Sequence, residues 1–191
     1  MHGKSKITYF KPDKLSIEVC SKWLKMNDLL NKTVIVMTMR NTITDYRNSK
    51  TEEWANAAKY LSMNHDVTIV VIPDFYHIYD LDYYQSFAGV AIFCNEAAAS
   101  IRFRSALYYN AALTMSVENK VDVFSMYNGC PNIIFKKNTK SENLSMLKLS
   151  FGESWKHFDG KLQKIVWDDD ISENIIVEAE SVLNKLSKKI L

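Results

Sequence analysis

Two short segments consist almost entirely of apolar, β-branched residues, and they constrain the fold more than any other feature of the chain. They are residues 33–39 (TVIVMTM) and residues 67–72 (VTIVVI), and the second run stops at Pro73-Asp74. Runs of this length without polar alternation are typical of strands that are buried on both faces of a sheet. Such strands belong to parallel sheets that helices cover on both sides.

The segment between these two strands has helical periodicity. Ser49 and Glu52 have the spacing of a capping box. One apolar face follows over residues 50–63, formed by Trp54, Ala57, Ala58 and Leu61. Strand, helix and strand in this order form a βαβ unit with a right-handed crossover. The pattern predicts an α/β fold with a doubly wound parallel sheet, helices on both faces, and the two apolar strands as adjacent inner strands.

The other segments extend this alternation. Residues 15–30 predict a leading helix whose apolar face is Leu15, Val19, Trp23, Met26 and Leu30. Residues 89–94 fit a strand or a helix equally well. Further predicted elements are a helix at 101–111, strands at 113–117, 132–135 and 164–167, a polar loop region at 136–160 and a closing helix at 175–189. Without a linker or a repeat, we expect one domain over 1–191, with parts 1–32, 33–135 and 136–191.

Charge and composition restrict the partners. Lys and Arg number 24 and Asp and Glu 22, a formal charge of +2 that gives no strong field for nucleic acid. No run approaches the roughly 18 apolar residues of a membrane span. The three cysteines are widely spaced in apolar surroundings, which favours a reducing compartment. We therefore expect a cytoplasmic protein with no transmembrane segment and no nucleic-acid partner.

Candidate binding residues follow the predicted strands. Ligands of open parallel sheets bind outside the carboxyl ends of the strands, so the loops after Met39, Ile72 and Val117 are expected to converge on one crevice. The candidates in these loops and at the start of the helix at 101–111 are Arg40, Arg47, Asn48, Asp74, Arg104, Glu118, Asn119 and Lys120.

Each candidate has a functional and a structural interpretation. Arg40 and Arg47 precede a helix N-terminus, where they can bind a diphosphate without a metal ion, or they can pair with Asp45 or face water. Asp74 can accept a bond from a ligand hydroxyl or organise its own loop. Only one of two arginines, at positions 102 and 104, is expected to face the crevice. Residues 118–120 can contact a phosphate or a sugar, or form an ordinary charged turn.

Two further clusters have alternative roles. Tyr76, Tyr79, Tyr83 and Tyr84 form an aromatic patch that can stack on a sugar or a base, or can pack beneath a loop. Residues 168–170 are three aspartates that can bind a metal but more often cap a helix. No phosphate-binding glycine loop, nucleophile elbow or zinc-ligand spacing is present. We expect no metal and no cofactor.

The order of these motifs resembles bacterial glycosyltransferase-related proteins of surface-carbohydrate biosynthesis. In that family a strand ends in Arg, an Arg-Asn-Ser motif and a Trp-containing helix follow, and the next strand ends in Pro-Asp. The matching residues here are Arg40, Arg47-Asn48-Ser49, Trp54 and Pro73-Asp74. The resemblance implies a Rossmann-like domain that corresponds to the nucleotide-sugar-binding half of a GT-B type glycosyltransferase.

The resemblance also implies an activity. The domain would bind a nucleoside-diphosphate sugar, and Arg40, Arg47 and Lys120 would stabilise the leaving diphosphate during transfer to a cell-surface glycan acceptor. A second domain or a partner chain would supply the acceptor half. The sequence departs from the family at residues 118–121 (ENKV), where such proteins have an Asn-Gly-Pro turn. The alternative is a non-catalytic nucleotide-binding or structural module that acts with a partner chain.

Overall fold

The computed structural model describes residues 10–42, 47–80, 82–119, 121–136 and 162–190. Strands and helices alternate along this part of the chain. The strands are β1 Thr33–Thr38, β2 Val67–Ile72, β3 Ala91–Phe93, β4 Leu113–Val117, β5 Asn132–Phe135 and β6 Gln163–Val166. The α-helices are α1 Lys14–Met26, α2 Thr51–Asn64, α3 Asn95–Ala99, α4 Ile101–Asn110, α5 Asp122–Tyr127 and α6 Ser172–Ile190. Two 3₁₀ turns follow β2, at Phe75–His77 and Asp82–Phe87.

The six strands form one sheet in the order β3-β2-β1-β4-β5-β6, and every neighbouring pair is parallel. β1 and β2 are adjacent inner strands, with Thr33 opposite Val67 and Thr38 opposite Ile72. The predicted doubly wound fold is therefore confirmed. The segment at 89–94, which periodicity left open, contains the edge strand β3. The predicted polar loop region lies almost entirely outside the described residues.

Apolar cores lie on both faces of the sheet. Ile35 and Met37 of β1 point into a cluster with α2 and α6, whereas Val34 and Val36 point into a cluster with α1, α3 and α4. This arrangement explains why β1 is apolar without alternation. Trp54, Ala58 and Leu61 are fully buried, as the spacing predicted, and Trp54 meets Phe135 edge to face. Within the described part of the chain, every helix is too short or too polar to cross a bilayer.

The predicted apolar face of α1 is wrong except for Trp23, which is partly buried and meets Phe103 of α4 edge to face. Leu15 and Met26 are 66% and 83% exposed, and Val19 and Leu30 are also exposed. The buried residues of the helix are Ser16, Cys20 and Leu24. Ser16 and Cys20 have small side chains, which allow a close approach to α4. The Asp13 carboxylate caps the helix by accepting hydrogen bonds from the backbone N–H of Ser16 (2.9 Å) and from its hydroxyl (2.6 Å).

The N-terminus of α2 is capped by a residue distant in sequence, so the predicted capping box is wrong. Ser49 accepts a hydrogen bond from the Arg40 backbone N–H (3.0 Å) instead of capping the helix. Oδ2 of the fully buried Asp170 accepts from the Lys50 backbone N–H (2.9 Å) and from the Trp54 indole N–H (2.8 Å). The triplet at 168–170 therefore supplies a cap, as its capping interpretation predicted, but for α2.

A second acidic residue completes the junction between α2 and α6. Glu53 in the first turn of α2 accepts a hydrogen bond from the Ser172 backbone N–H at the start of α6 (2.8 Å). This bond lowers the pKa of Glu53. Its stabilising effect is present at neutral pH and is lost as the pH falls through the lowered pKa. The carboxylate of Asp170 thus lies at the start of α2, and that of Glu53 lies at the start of α6. The dipole of each helix favours negative charge at these positions.

We expect Asp170→Ala to lower the free energy of unfolding by about 2–5 kcal/mol, because the buried Trp54 indole N–H and the partly buried Lys50 backbone N–H lose their acceptor. Urea unfolding monitored by circular dichroism measures this change. Asp168→Ala is the matched control, since Asp168 is exposed in the same acidic triplet, and it should change stability by no more than about 0.5 kcal/mol. Equal effects of the two variants would contradict the structural role of Asp170.

Candidate functional site

The carboxyl ends of β1, β2 and β4 converge on a cavity of about 510 Å³. This convergence was predicted from the sequence, and the volume lies within the roughly 300–1,000 Å³ of ligand pockets. The lining comes from the ends of three strands and the loops that follow them, from α3 and from the start of α4. It consists of Thr38, Met39, Arg40, Thr42, Pro73, Asp74, Phe75, Tyr76, Ala97, Ala98, Ala99, Ile101, Arg104, Asn119 and Val121.

Arg40 connects the loops after β1 and β4, the two strands between which the order of the sheet reverses. Its Nη1 donates a hydrogen bond to the Glu118 carbonyl oxygen (2.9 Å). Ligands of doubly wound folds bind at this reversal, because the connections on its two sides leave in opposite directions and open a crevice. Arg40 therefore lies at the position that the fold makes available for a ligand.

Asn48 and Ser49 hold the ends of the loop after β1 together. The Ser49 backbone N–H donates to the Arg40 carbonyl (2.9 Å), which complements the bond from Arg40 N–H to the Ser49 hydroxyl. The Asn48 amide accepts from Thr42 N–H (2.8 Å) and donates to Thr42 O (2.8 Å) and to Asn41 Oδ1 (3.0 Å). The Asn-Ser pair of the Arg-Asn-Ser motif thus shapes the loop.

Asp74 joins the loop after β1 to the loop after β2. Its Oδ2 accepts from Asn41 N–H (2.9 Å), and its Oδ1 accepts from Tyr76 N–H (3.1 Å). Its own N–H donates to the Tyr84 hydroxyl (2.9 Å). Burial raises the pKa of Tyr84, so this hydroxyl stays protonated at neutral pH. These contacts support the loop-organising interpretation of Asp74.

A second contact between the same loops runs through His77. The Asn41 side-chain amide lies 2.7 Å from Nε2 of His77, and Nδ1 lies 3.1 Å from the Asp80 carboxylate. Because Asn48 orients the Asn41 amide with its nitrogen toward His77, Nε2 accepts and Nδ1 carries the proton that Asp80 accepts. The imidazole also stacks on Tyr83, with ring centroids 4.3 Å apart.

Arg104 contributes a nearly buried guanidinium to the cavity wall. Only 8% of the residue is exposed, whereas Arg102 lies on the surface and is not among the described lining residues. Nε of Arg104 donates to the Ala97 carbonyl (2.7 Å). Its terminal nitrogens have no hydrogen-bond partner in the described part of the chain. Such groups, beside the start of an α-helix, favour an anionic ligand.

The cavity brings together some of the predicted residues and not others. Arg40, Asp74, Arg104 and Asn119 line it. Arg47, Asn48 and Glu118 are not among its described lining residues, and the Glu118 carboxylate pairs with Lys136. Lys120 lies outside the described residues, as does Asp45. The roles of these residues in binding stay predictions.

Sequence reasoning missed several residues of the wall, among them Ala97–Ala99, Phe75, Thr42 and Val121. The small side chains at 97–99 leave room for a ligand beside Arg104, and they carry no signal of their own in the sequence. Phe75 precedes the tyrosine cluster in the sequence, and attention to the tyrosines passed over it.

The three cysteines are free and buried outside this wall. Burial raises the pKa of Cys20 and of Cys130 to about 12 and also raises that of Cys94, so their thiols stay protonated at neutral pH.

The fold and the crevice define the class of this domain. It is a Rossmann-like α/β domain with the architecture of one half of a GT-B type glycosyltransferase. No protein-family model matches the sequence, and a comparison with curated proteins found no significantly similar sequence. The comparison with solved structures therefore carries the assignment of the fold.

Three solved structures from bacteria share this fold. A glycosyl transferase family 9 protein from Veillonella parvula aligns with a TM-score of 0.67 and 11% identity, over 93% of this chain and 54% of the other. The ADP-heptose LPS heptosyltransferase II of E. coli gives 0.62 and 8% identity, over 94% and 54%. The C-terminal CMP-Kdo binding domain of WaaA from Acinetobacter baumannii gives 0.57 and 10% identity, over 93% and 92%.

These alignments also compare sizes. The chain spans about half the length of the first two glycosyltransferase chains, and it covers nearly all of the isolated WaaA domain. The predicted likeness to one half of a surface-carbohydrate glycosyltransferase is thereby confirmed at the level of the fold.

We expect Asp74→Asn to lower the free energy of unfolding by about 1–3 kcal/mol, because both carboxylate oxygens accept backbone N–H bonds and an amide offers only one acceptor oxygen. Amide hydrogen exchange should rise at Asn41 and Tyr76, whose N–H groups donate to this carboxylate. Asp66→Asn, at an exposed turn, is the control and should leave both measurements unchanged. Unchanged hydrogen exchange at Asn41 in the Asp74→Asn variant would contradict the role of Asp74 in holding the loops after β1 and β2 together.

Proposed function

We propose that this chain is a glycosyltransferase-like domain that binds a nucleoside-diphosphate sugar in the cavity, for transfer of the sugar to a cell-surface glycan acceptor. The observation that carries the proposal is the buried Arg104 guanidinium, which lines a cavity at the carboxyl edge of a GT-B-like sheet. A cation in such a position is costly unless a negative charge compensates it, and phosphates supply that charge.

The surroundings of Arg104 strengthen the case for a phosphate. Arg40 lines the same cavity, and the ten-residue helix α4 begins at its wall, where the positive end of the helix dipole favours an anion. Carboxylates are the groups that would oppose an anion, and Asp74 is the only one among the described lining residues. Both of its oxygens already accept backbone N–H bonds, which reduces its repulsion of a ligand.

Two of the structural neighbours are named for a nucleotide-activated sugar, ADP-heptose in one and CMP-Kdo in the other. Their ligands support the choice of a nucleotide sugar for this cavity. In the proposed transfer, the bond between the sugar and the diphosphate breaks, and negative charge develops on the leaving diphosphate. Arg40, Arg47 and Lys120 are proposed to stabilise this charge, as preorganised cations do most effectively away from bulk water.

The acceptor side of the reaction is proposed to come from elsewhere. Because the chain spans about half of the first two glycosyltransferases, a second domain or a partner chain would face the cavity and hold the glycan acceptor. The second candidate function is a non-catalytic nucleotide-binding or structural module that acts with a partner chain. The half-length match and the sequence at 118–121, which lacks a glycine turn, favour this candidate.

Calorimetric titration with nucleotides and a donor-turnover assay separate the two candidates. The purified chain is titrated with ADP, GDP, CDP and UDP, and sugar release is then followed with the matching nucleotide sugars, in the presence and absence of cell-surface glycan. Saturable binding with turnover supports the transferase. Saturable binding without turnover supports the non-catalytic module. Absence of binding to all four nucleotides would refute a nucleoside-diphosphate site.

We expect Arg104→Gln to weaken binding of the preferred nucleoside diphosphate by about 1.5–3 kcal/mol, the range for a hydrogen bond to a charged group. The nucleotide affinity of Arg104→Lys should lie between those of the wild type and Arg104→Gln. Lysine retains the charge but lacks the planar guanidinium group. Arg102→Gln, two positions away on the surface, is the control and should bind like the wild type. Thermal unfolding of each variant shows whether the fold is intact. Equal nucleotide affinities of the wild type, Arg104→Gln and Arg104→Lys would exclude Arg104 from the site.

For Arg47→Ala we also expect nucleotide affinity to fall by about 1.5–3 kcal/mol while the fold is retained. Isothermal titration calorimetry measures the change. Arg47 is half-buried in the loop between β1 and α2. It can contribute to binding only if its side chain reaches the diphosphate of the bound ligand. Unchanged affinity would exclude Arg47 from the site without affecting the evidence for Arg104.

A further inference from the structure

Two aromatic rings stand exposed at the edge of the cavity. Phe75 and Tyr76 line it, yet they are 62% and 81% exposed, and their rings meet edge to face with centroids 6.2 Å apart. Exposed aromatic surface next to a concave site is typical of a place where a ligand or partner covers it. Tyr79, three residues farther along the chain, is 94% exposed but is not among the described lining residues.

The backbone that carries these rings is fixed. The Asp74 carboxylate holds Tyr76 N–H, and the Tyr84 hydroxyl holds Asp74 N–H (2.9 Å). Ile78, directly after the turn, is buried. The aromatic pair is thus anchored at both ends, so its exposure does not come from a loosely attached loop. A ring presented in this way can stack on a flat ligand at a small entropic cost.

We infer that Tyr76, supported edge to face by Phe75, forms a stacking platform for the base of the nucleotide, an inference that rests on the nucleotide site proposed above. The cavity combines two chemistries on different loops. The arginines at positions 40 and 104 select a ligand with phosphate groups, and the aromatic pair selects a ligand with a flat, uncharged ring. A nucleoside phosphate carries both groups in one molecule. Stacking accepts any base, so the platform contributes affinity for nucleotides as a class.

The experiment compares ligands with and without a base. Wild type, Tyr76→Ala, Tyr76→Phe and Tyr79→Ala are titrated by calorimetry with ADP, GDP, CDP, UDP, inorganic pyrophosphate and a hexose 1-phosphate. Tyr76→Ala should lower the affinity for the preferred nucleoside diphosphate by about 5- to 160-fold, as loss of one base-stacking ring does. Its affinity for pyrophosphate and for the hexose phosphate should stay the same.

The remaining variants separate stacking from other roles of the ring. Tyr76→Phe keeps the ring and should bind nucleotides like the wild type, and Tyr79→Ala should do so because its ring lies away from the cavity wall. Unchanged nucleotide affinity in Tyr76→Ala, or an equal loss for pyrophosphate, would overturn the platform. A loss confined to the hexose phosphate would assign the ring to the sugar and also overturn it. If the wild type binds none of the nucleotides, the proposed nucleotide site itself fails.

Discussion

β1 is hydrogen-bonded to a parallel strand on each side and is apolar on each face, and the geometry of the candidate site depends on this double burial. A strand with no polar face cannot move toward the surface, so the residues that follow it always emerge at the same point of the carboxyl edge. β2 and β4 flank it there, and their loops carry Asp74 and Asn119 to the same cavity. The core thus decides where the polar chemistry is found.

The sheet could be predicted from the sequence because its signal is local. Apolar runs identified β1, β2 and β4, and the rule that ligands bind at the carboxyl ends of strands then located the crevice. The exposed side of α1 was misassigned for the opposite reason. Its apolar spacing is as regular as that of a buried face, but Ser16 and Cys20 are smaller and pack closer to α4, and only the neighbouring helix determines that choice.

The acidic residues show the same limit more clearly. Nothing local distinguishes Asp170, which is fully buried, from the exposed Asp168, because the groups that bind Asp170 lie on α2. Asp74 likewise resembles an ordinary residue at the end of a strand until the backbone of Asn41 is placed beside it. Asp170 forms its bonds inside the core, whereas Asp74 lines the cavity together with the arginines at 40 and 104. The sequence suggested where charges gather but not this division of roles.

The paired carboxylates at the start of α2 and α6 also influence how the molecule is assembled and degraded. Residues more than a hundred positions apart complete one another's first helical turn, so neither helix has a finished N-terminus while the other is detached. The two helices should therefore gain and lose their structure together, as a single cooperative unit. During synthesis, the Asp170 cap of α2 can form only after the segment that contains Asp170 has left the ribosome. A protease that removes α6 would at the same time loosen the helix that packs Trp54 against the sheet.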